Sequence, residues 1–395
     1  MSPSHTFSVD RWSRTYVATS AVFLVAWQAS SFVDTDWRSR LILGVLGFVL
    51  HVVFGKAYTL VPSYFETSLA YEAAPAVQFP LTSLGTLILS ANPGSALGGI
   101  LWIAGVGIFV VSLGVSLRGN LTGRETGTAE TKQERRTVDR YSNAAIPFAL
   151  VYLVLGSYLL VASNFSALPC PVSVGCQVGS VLHLLAAGTG GVMVFGVGFR
   201  LLPRLLVSHP SRRLVALVLP TGVVAPSFLA LDLNGGILFR LGAVLESVAV
   251  IGFGAAYFGM VRRSERRRVG LYGVLAGAVF GALGVVIGSG FAFDVFSVSD
   301  LRLTHARLNV LGFLGLTIIG VAYQFYPPNV GSFLGANDET ALASIALIAS
   351  GLVVETASSV IPVSLLLPGR LLTLVGTSLY AYVLLRLFYE KESGG

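Results

Sequence analysis

The chain has 395 residues, 54% of them hydrophobic and 11% charged, and its mean hydropathy is +0.77. A soluble domain carries roughly 25% charged residues, so the solvent for most of this surface is lipid. The formal charge of +7 does not point to nucleic acid, because the basic residues sit between apolar runs, where they set membrane orientation.

Backbone polar groups in hydrocarbon must bond within their own segment, and apolar runs of this length choose helices over a closed barrel. The expected fold is all-α: one polytopic membrane domain over 1–395, of about twelve transmembrane helices. Apolar spans are predicted near 16–33, 40–62, 75–91, 95–117, 143–164, 179–203, 214–232, 236–260, 270–293, 304–327, 339–362 and 366–388. The polar start, Met1 to Arg14, has no signal-peptide pattern and reads as a retained cytoplasmic tail. Two longer breaks divide the spans into units of four, near 15–117, 143–260 and 270–390. The first break, 118–142, is polar and reads as a mobile cytoplasmic loop; the second is Val261–Arg268.

Arg and Lys collect on one side of this topology: Arg11, Arg14, Arg118, Arg124, Lys132, Arg135, Arg136, Arg140, Arg200, Arg204, Arg212, Arg213, Arg262 to Arg268, Arg386 and Lys391. The other side keeps Arg38, Arg40, Arg240, Arg302, Arg307 and Arg370. The bias puts the N- and C-termini in the cytoplasm of a multi-pass cell-membrane protein. Cys170 and Cys176 then share an outer loop, where a short disulfide is expected over two separate thiols.

Three spans repeat one pattern of Leu, Gly, Gly, aromatic and Pro at fixed spacing. They read Leu43, Gly47, Gly55, Tyr58, Pro62; Leu184, Gly188, Gly196, Phe199, Pro203; and Leu308, Gly312, Gly320, Tyr323, Pro327. Glycines on one helix let neighbouring backbones approach in lipid, and the proline ends or kinks the helix. A four-helix unit used three times implies three arcs about a pseudo-threefold axis, unlike the twofold relation of most secondary transporters.

The segment His305-Ala-Arg-Leu-Asn-Val-Leu-Gly-Phe-Leu-Gly-Leu-Thr-Ile-Ile-Gly-Val-Ala-Tyr-Gln-Phe-Tyr-Pro resembles the tenth helix of subunit I in the haem-copper oxidase superfamily, the cbb3-type enzymes and their divergent relatives in particular. His183 through Pro203 resembles that family's sixth helix. The resemblance implies twelve helices in three arcs, with His305 at the ligand position of the high-spin haem and His183 at a copper-ligand position. It also implies losses. Arg307 and Arg40 stand at the two ligand positions of the low-spin haem, and Arg213 to Asp232 lack the family's copper-binding His pair. Copper is therefore not expected, nor a working terminal oxidase. What remains is at most one haem, held by His305 with His183 opposite it as a distal group, for O2 or NO binding or sensing.

Other readings stay open. His305 and His183 also fit buried polar groups bonded to neighbouring helices. Arg40 and Arg307 fit haem propionates, an outward-facing anion site, or the filling of a vacated cavity by bonds to Asp294, Asp300 or carbonyls. Glu246 and Glu355, in mid-span, are proton-path candidates, because an ionised carboxylate there costs at least ~2.5 kcal/mol; each also fits a protonated acid bonded to a hydroxyl, such as Thr356 or Ser358 near the second. Lys56 and Tyr58 read as snorkelling to the interface. His51 matches no ligand position; His5 and His209 read as solvated. The two function classes beside a haem protein are a haem-free accessory subunit among respiratory partners and a transporter or anion-binding membrane protein.

Overall fold

The computed structural model describes residues 3–163, 168–170, 176–233 and 235–393, with the side chains of 3–8, 298–300 and 393 outside the description. The readings made of His5 and Asp300 fall on those side chains. The chain is 81% helical, with no strand among the described residues. Eleven described helices are long and apolar enough to cross a membrane. A twelfth long helix, α1 (Pro3–Ala29), begins within the segment expected to be a polar tail. It is held there by packing: Tyr16, Phe23 and Trp27 lie against Gly55, Gly47 and Gly44, so α1 runs antiparallel to the whole next helix.

The first unit continues with α2 (Trp37–Tyr64), α3 (Ala74–Ala91) and α4 (Ala96–Leu117). The second holds α5 (Arg136–Ala162), α6 (Val178–Leu206), α7 (Arg212–Leu231) and α8 (Ile237–Arg263). The third holds α9 (Gly270–Ala292), α10 (Val298–Arg307, Leu308–Gly315 and Leu316–Phe325), α11 (Asp338–Ser358) and α12 (Leu366–Ser393). In each unit the first helix packs along the second, and the third along the fourth. The fourth helix then packs on the first of the next unit: α4 on α5, α8 on α9, α12 on α1. The ring is closed.

The repeated residues make equivalent contacts. A Cβ on Gly47 would lie 2.7 Å from Phe23, on Gly188 2.6 Å from Tyr152, and on Gly312 2.6 Å from Phe280, each on the first helix of its unit. The repeated ring meets a ring of the fourth helix each time: Tyr58 on Phe109 at 5.2 Å, Phe199 on Phe253 at 5.4 Å, Tyr323 on Tyr380 at 5.6 Å. Pro62 and Pro203 fall in the last turn of their helices, and Pro327 just beyond its own.

The three central helices share one further feature that composition does not mark. Leu43–Leu50, His183–Gly191 and Leu308–Gly315 are all wound as π-helix, a form that is rare and usually confined to single turns. The three segments meet on the axis, where Gly190 faces Val49 and Leu314. Their helices are the most buried, at 83%, 61% and 83% of the apolar window, against 28–56% for the other eight spans.

The polar linker between the first two units is docked rather than free. Asn120 donates to the carbonyls of Phe65 (3.0 Å) and Glu125 (2.7 Å), Arg200 to that of Thr126 (2.7 Å), and Thr128 to Asp139 (2.6 Å). Asp139 is buried between Arg200 and Arg204, so burying that carboxylate requires these partners. Cys170 and Cys176 are joined as a disulfide.

Candidate functional site

Three seams run between successive units, and the repeat register gives each the same three positions. One lies five residues before the first repeated Gly, on the second helix: Ile42, His183, Arg307. Another lies seven before it: Arg40, Val181, His305. The third lies seven before the fourth-helix ring: Trp102, Glu246, Thr373. The residues that fill these positions decide what each seam can do.

The seam between the third and first units is closed by charge. Arg307 forms an ion pair with Glu355: its Nη2 donates to Oε1 at 2.7 Å, and its Nε lies close to Oε2. Gln28 accepts from the same guanidinium at 3.0 Å, Thr373 lies at 3.3 Å, and the Trp27 ring covers it at 5.7 Å. Four helices thus converge on one side chain. Arg40 bonds the Val33 carbonyl at 3.2 Å and Arg370 that of Ser31 at 3.3 Å, at the rim. The partner of Arg307 is therefore Glu355, and Asp294 pairs with Arg240 instead. Glu355 in turn bonds Arg307 and Thr373 rather than Thr356 or Ser358.

The seam between the first and second units is plugged. Trp102 is fully buried, stacks near Phe54 at 5.9 Å and donates its indole N–H to Ser157 at 2.9 Å. Ile42 and Val181, both buried, complete an apolar filling.

The seam between the second and third units differs from both. Nδ1 of His183 is bonded to the Gly179 carbonyl at 2.8 Å, and Nδ1 of His305 to that of Gly284 at 2.9 Å. The two imidazoles lie within electrostatic range of each other. The His305 ring rests on Gly288, where a Cβ would come within 2.7 Å of it, and edge-on to Phe291 at 5.6 Å. Glu246 lies at the position equivalent to Thr373, and its Oε2 is buried with no hydrogen-bond partner. The neighbouring Ser247 bonds Ser289 at 2.9 Å, tying α8 to α9 at this level.

No family model and no curated protein matches the chain. The chemistry of the seams therefore carries the reading. An imidazole whose Nδ1 is fixed by a backbone carbonyl presents Nε2 as its donor to a metal, the usual arrangement of a ligating histidine. On that test His305 and His183 could each offer Nε2 to a metal. The third–first seam does not fit a haem, because Arg307 stands where the second–third seam has His183 and is paired with Glu355. Among the described residues, no three His, Cys, Asp or Glu side chains group closely enough to hold a metal ion.

His51 is satisfied within the first unit, by the Leu46 carbonyl at 2.8 Å and Ser83 at 3.2 Å. The roles of Gln28, Trp102 and Thr373 were missed from sequence. Extending the repeat register to the rings of the fourth helices would have exposed the last two.

Proposed function

We propose that this chain is a divergent, catalytically incomplete protein of the haem-copper oxidase type that binds one haem, between its second and third units, for diatomic gas binding or sensing. One observation carries the reading: of three equivalent seams, one is locked by an ion pair, one is plugged by Trp102, and one holds two backbone-anchored imidazoles, with Glu246, whose Oε2 has no hydrogen-bond partner, at the equivalent position of its fourth helix. Haem, when bound, would supply the gas-binding iron. His305 would hold it through Nε2, with the Gly284 carbonyl fixing the ring. His183 would offer the distal N–H or a sixth ligand, and Glu246 would exchange a proton through its unpartnered oxygen. The Arg and Lys bias supports cytoplasmic termini, which puts both histidines in the outer half of the membrane.

The test is the visible spectrum of protein expressed with ample haem. A Soret band is expected, lost in His305→Ala and shifted in His183→Ala, while Arg307→Met leaves it in place. A colourless protein would end this reading. It would favour the second one, a haem-free accessory subunit, which has its own support: the Arg307–Glu355 cluster fills its seam with protein side chains alone. The same pair weakens the anion-site reading, since the charge of Arg307 is already neutralised.

A further inference from the structure

Lys56 is an intramembrane cation that the haem reading leaves unused. It lies on α2, eight residues before the helix ends at Tyr64, about 12 Å from that end at 1.5 Å per residue. Its side chain reaches Tyr326 at the end of α10 rather than lipid: Nζ donates to the phenol oxygen at 2.6 Å and sits 4.7 Å from the ring centres of both Phe325 and Tyr326. Asp10, the carboxylate that acts on it electrostatically, is itself paired with Arg14. A charged side chain inside a membrane bundle marks a functional position by default.

Beside this ammonium lies a partly open cavity of about 110 Å3 lined mainly by the three repeated helices, on the side of the π-helical segments away from His183 and His305. Its walls are Val49, Val53, Met193, Val197, Ile318 and Val321. An apolar cavity of ~150 Å3 stays dry and accepts benzene, so by proportion this one holds about four to five carbon atoms. Phe325 and Tyr326 also line a second, wider space of about 810 Å3 bounded by Arg386, Glu390 and Lys391, at the face carrying the chain's C-terminal end. The cavity therefore has an apolar floor, a cation at its mouth and beyond it a vestibule where two cations, Arg386 and Lys391, outnumber one carboxylate, Glu390.

We infer that this axial cavity is a binding site for a short amphipathic monocarboxylate, with its chain between Val49, Val197 and Val321 and its carboxylate on Lys56. The cation supplies the counter-charge, and the vestibule supplies a route that attracts anions. The inference does not rest on haem, because the site and the histidines lie at opposite ends of the central helices.

The test is calorimetric titration of hexanoate and hexylammonium into the purified chain in lipid nanodiscs. Saturable hexanoate binding is expected, with none for hexylammonium. Lys56→Gln should weaken it at least tenfold, Lys56→Arg should keep it within about threefold, and Val321→Phe, which fills the cavity and keeps the charge, should abolish it. Val197→Phe replaces the last variant if that one aggregates. No saturable hexanoate binding to the parent chain, equal binding of both probes, or hexanoate affinity unchanged in Lys56→Gln and the cavity-filling variant would each overturn the site.

Discussion

Arg307 is a heavily constrained side chain, since its guanidinium joins α1, α10, α11 and α12 through Gln28, Glu355 and Thr373. Removing one member of a buried ion pair costs ~3–5 kcal/mol, because the partner is left charged and unpaired, whereas replacing both by apolar groups is often neutral. Arg307→Leu is therefore expected to lower the thermal midpoint sharply, and Arg307→Leu with Glu355→Leu to recover most of the loss. A double-mutant cycle followed by thermal unfolding in detergent measures the coupling; additive losses would mean that the pair contributes little. The sequence singled out Arg40, Arg307, His183, His305, Glu246 and Glu355 one by one. It could not pair Arg307 with Glu355, because 48 residues separate them and only the packing of α11 against α10 brings them together. The matching of His183 with Arg307 was already implicit in the glycine spacing.

At the level of the helix, the first repeated glycine of each unit is a contact surface for a particular ring. Gly312→Val would drive a side chain into Phe280, whose Cβ already stands 2.6 Å from an added methyl position. Overpacking of this kind costs ~1–3 kcal/mol. Combining it with Phe280→Ala should return part of that, and the same rescue should hold for Gly47→Val with Phe23→Ala. Midpoints of thermal unfolding for the single and paired variants check this; a paired variant worse than both singles would refute the pairing. The helices themselves were legible because lipid demands long apolar runs, and their grouping was legible because glycine and proline mark backbone approach and helix ends. The π-helical turns were not. Winding i to i+5 instead of i+4 changes hydrogen-bond partners without any compositional sign. The docked linker was hidden for a related reason, since its polar residues match a free loop in composition and differ only in having acceptors within reach.

Over the whole molecule, three units give three seams, and divergence among them separates structure from chemistry. Trp102 and the Arg307–Glu355 cluster hold two seams shut, whereas the third carries His183, His305 and Glu246. That division of labour was invisible until the register was extended to the fourth helices, although the threefold arrangement could be anticipated from three matching spans.

The contact of α12 with α1 has a further result. Asp10 and Lys391 both act electrostatically on Lys56, so the start of the first helix and the finish of the last are neighbours on one face. The order of the units along the chain is then a matter of where the polypeptide is cut. A permuted gene that tethers Gly395 to Met1 through a flexible linker and opens between Arg266 and Arg267 should yield a folded protein. Its thermal midpoint should stay close to that of the parent in the same detergent, and failure to assemble would show that synthesis must begin with α1.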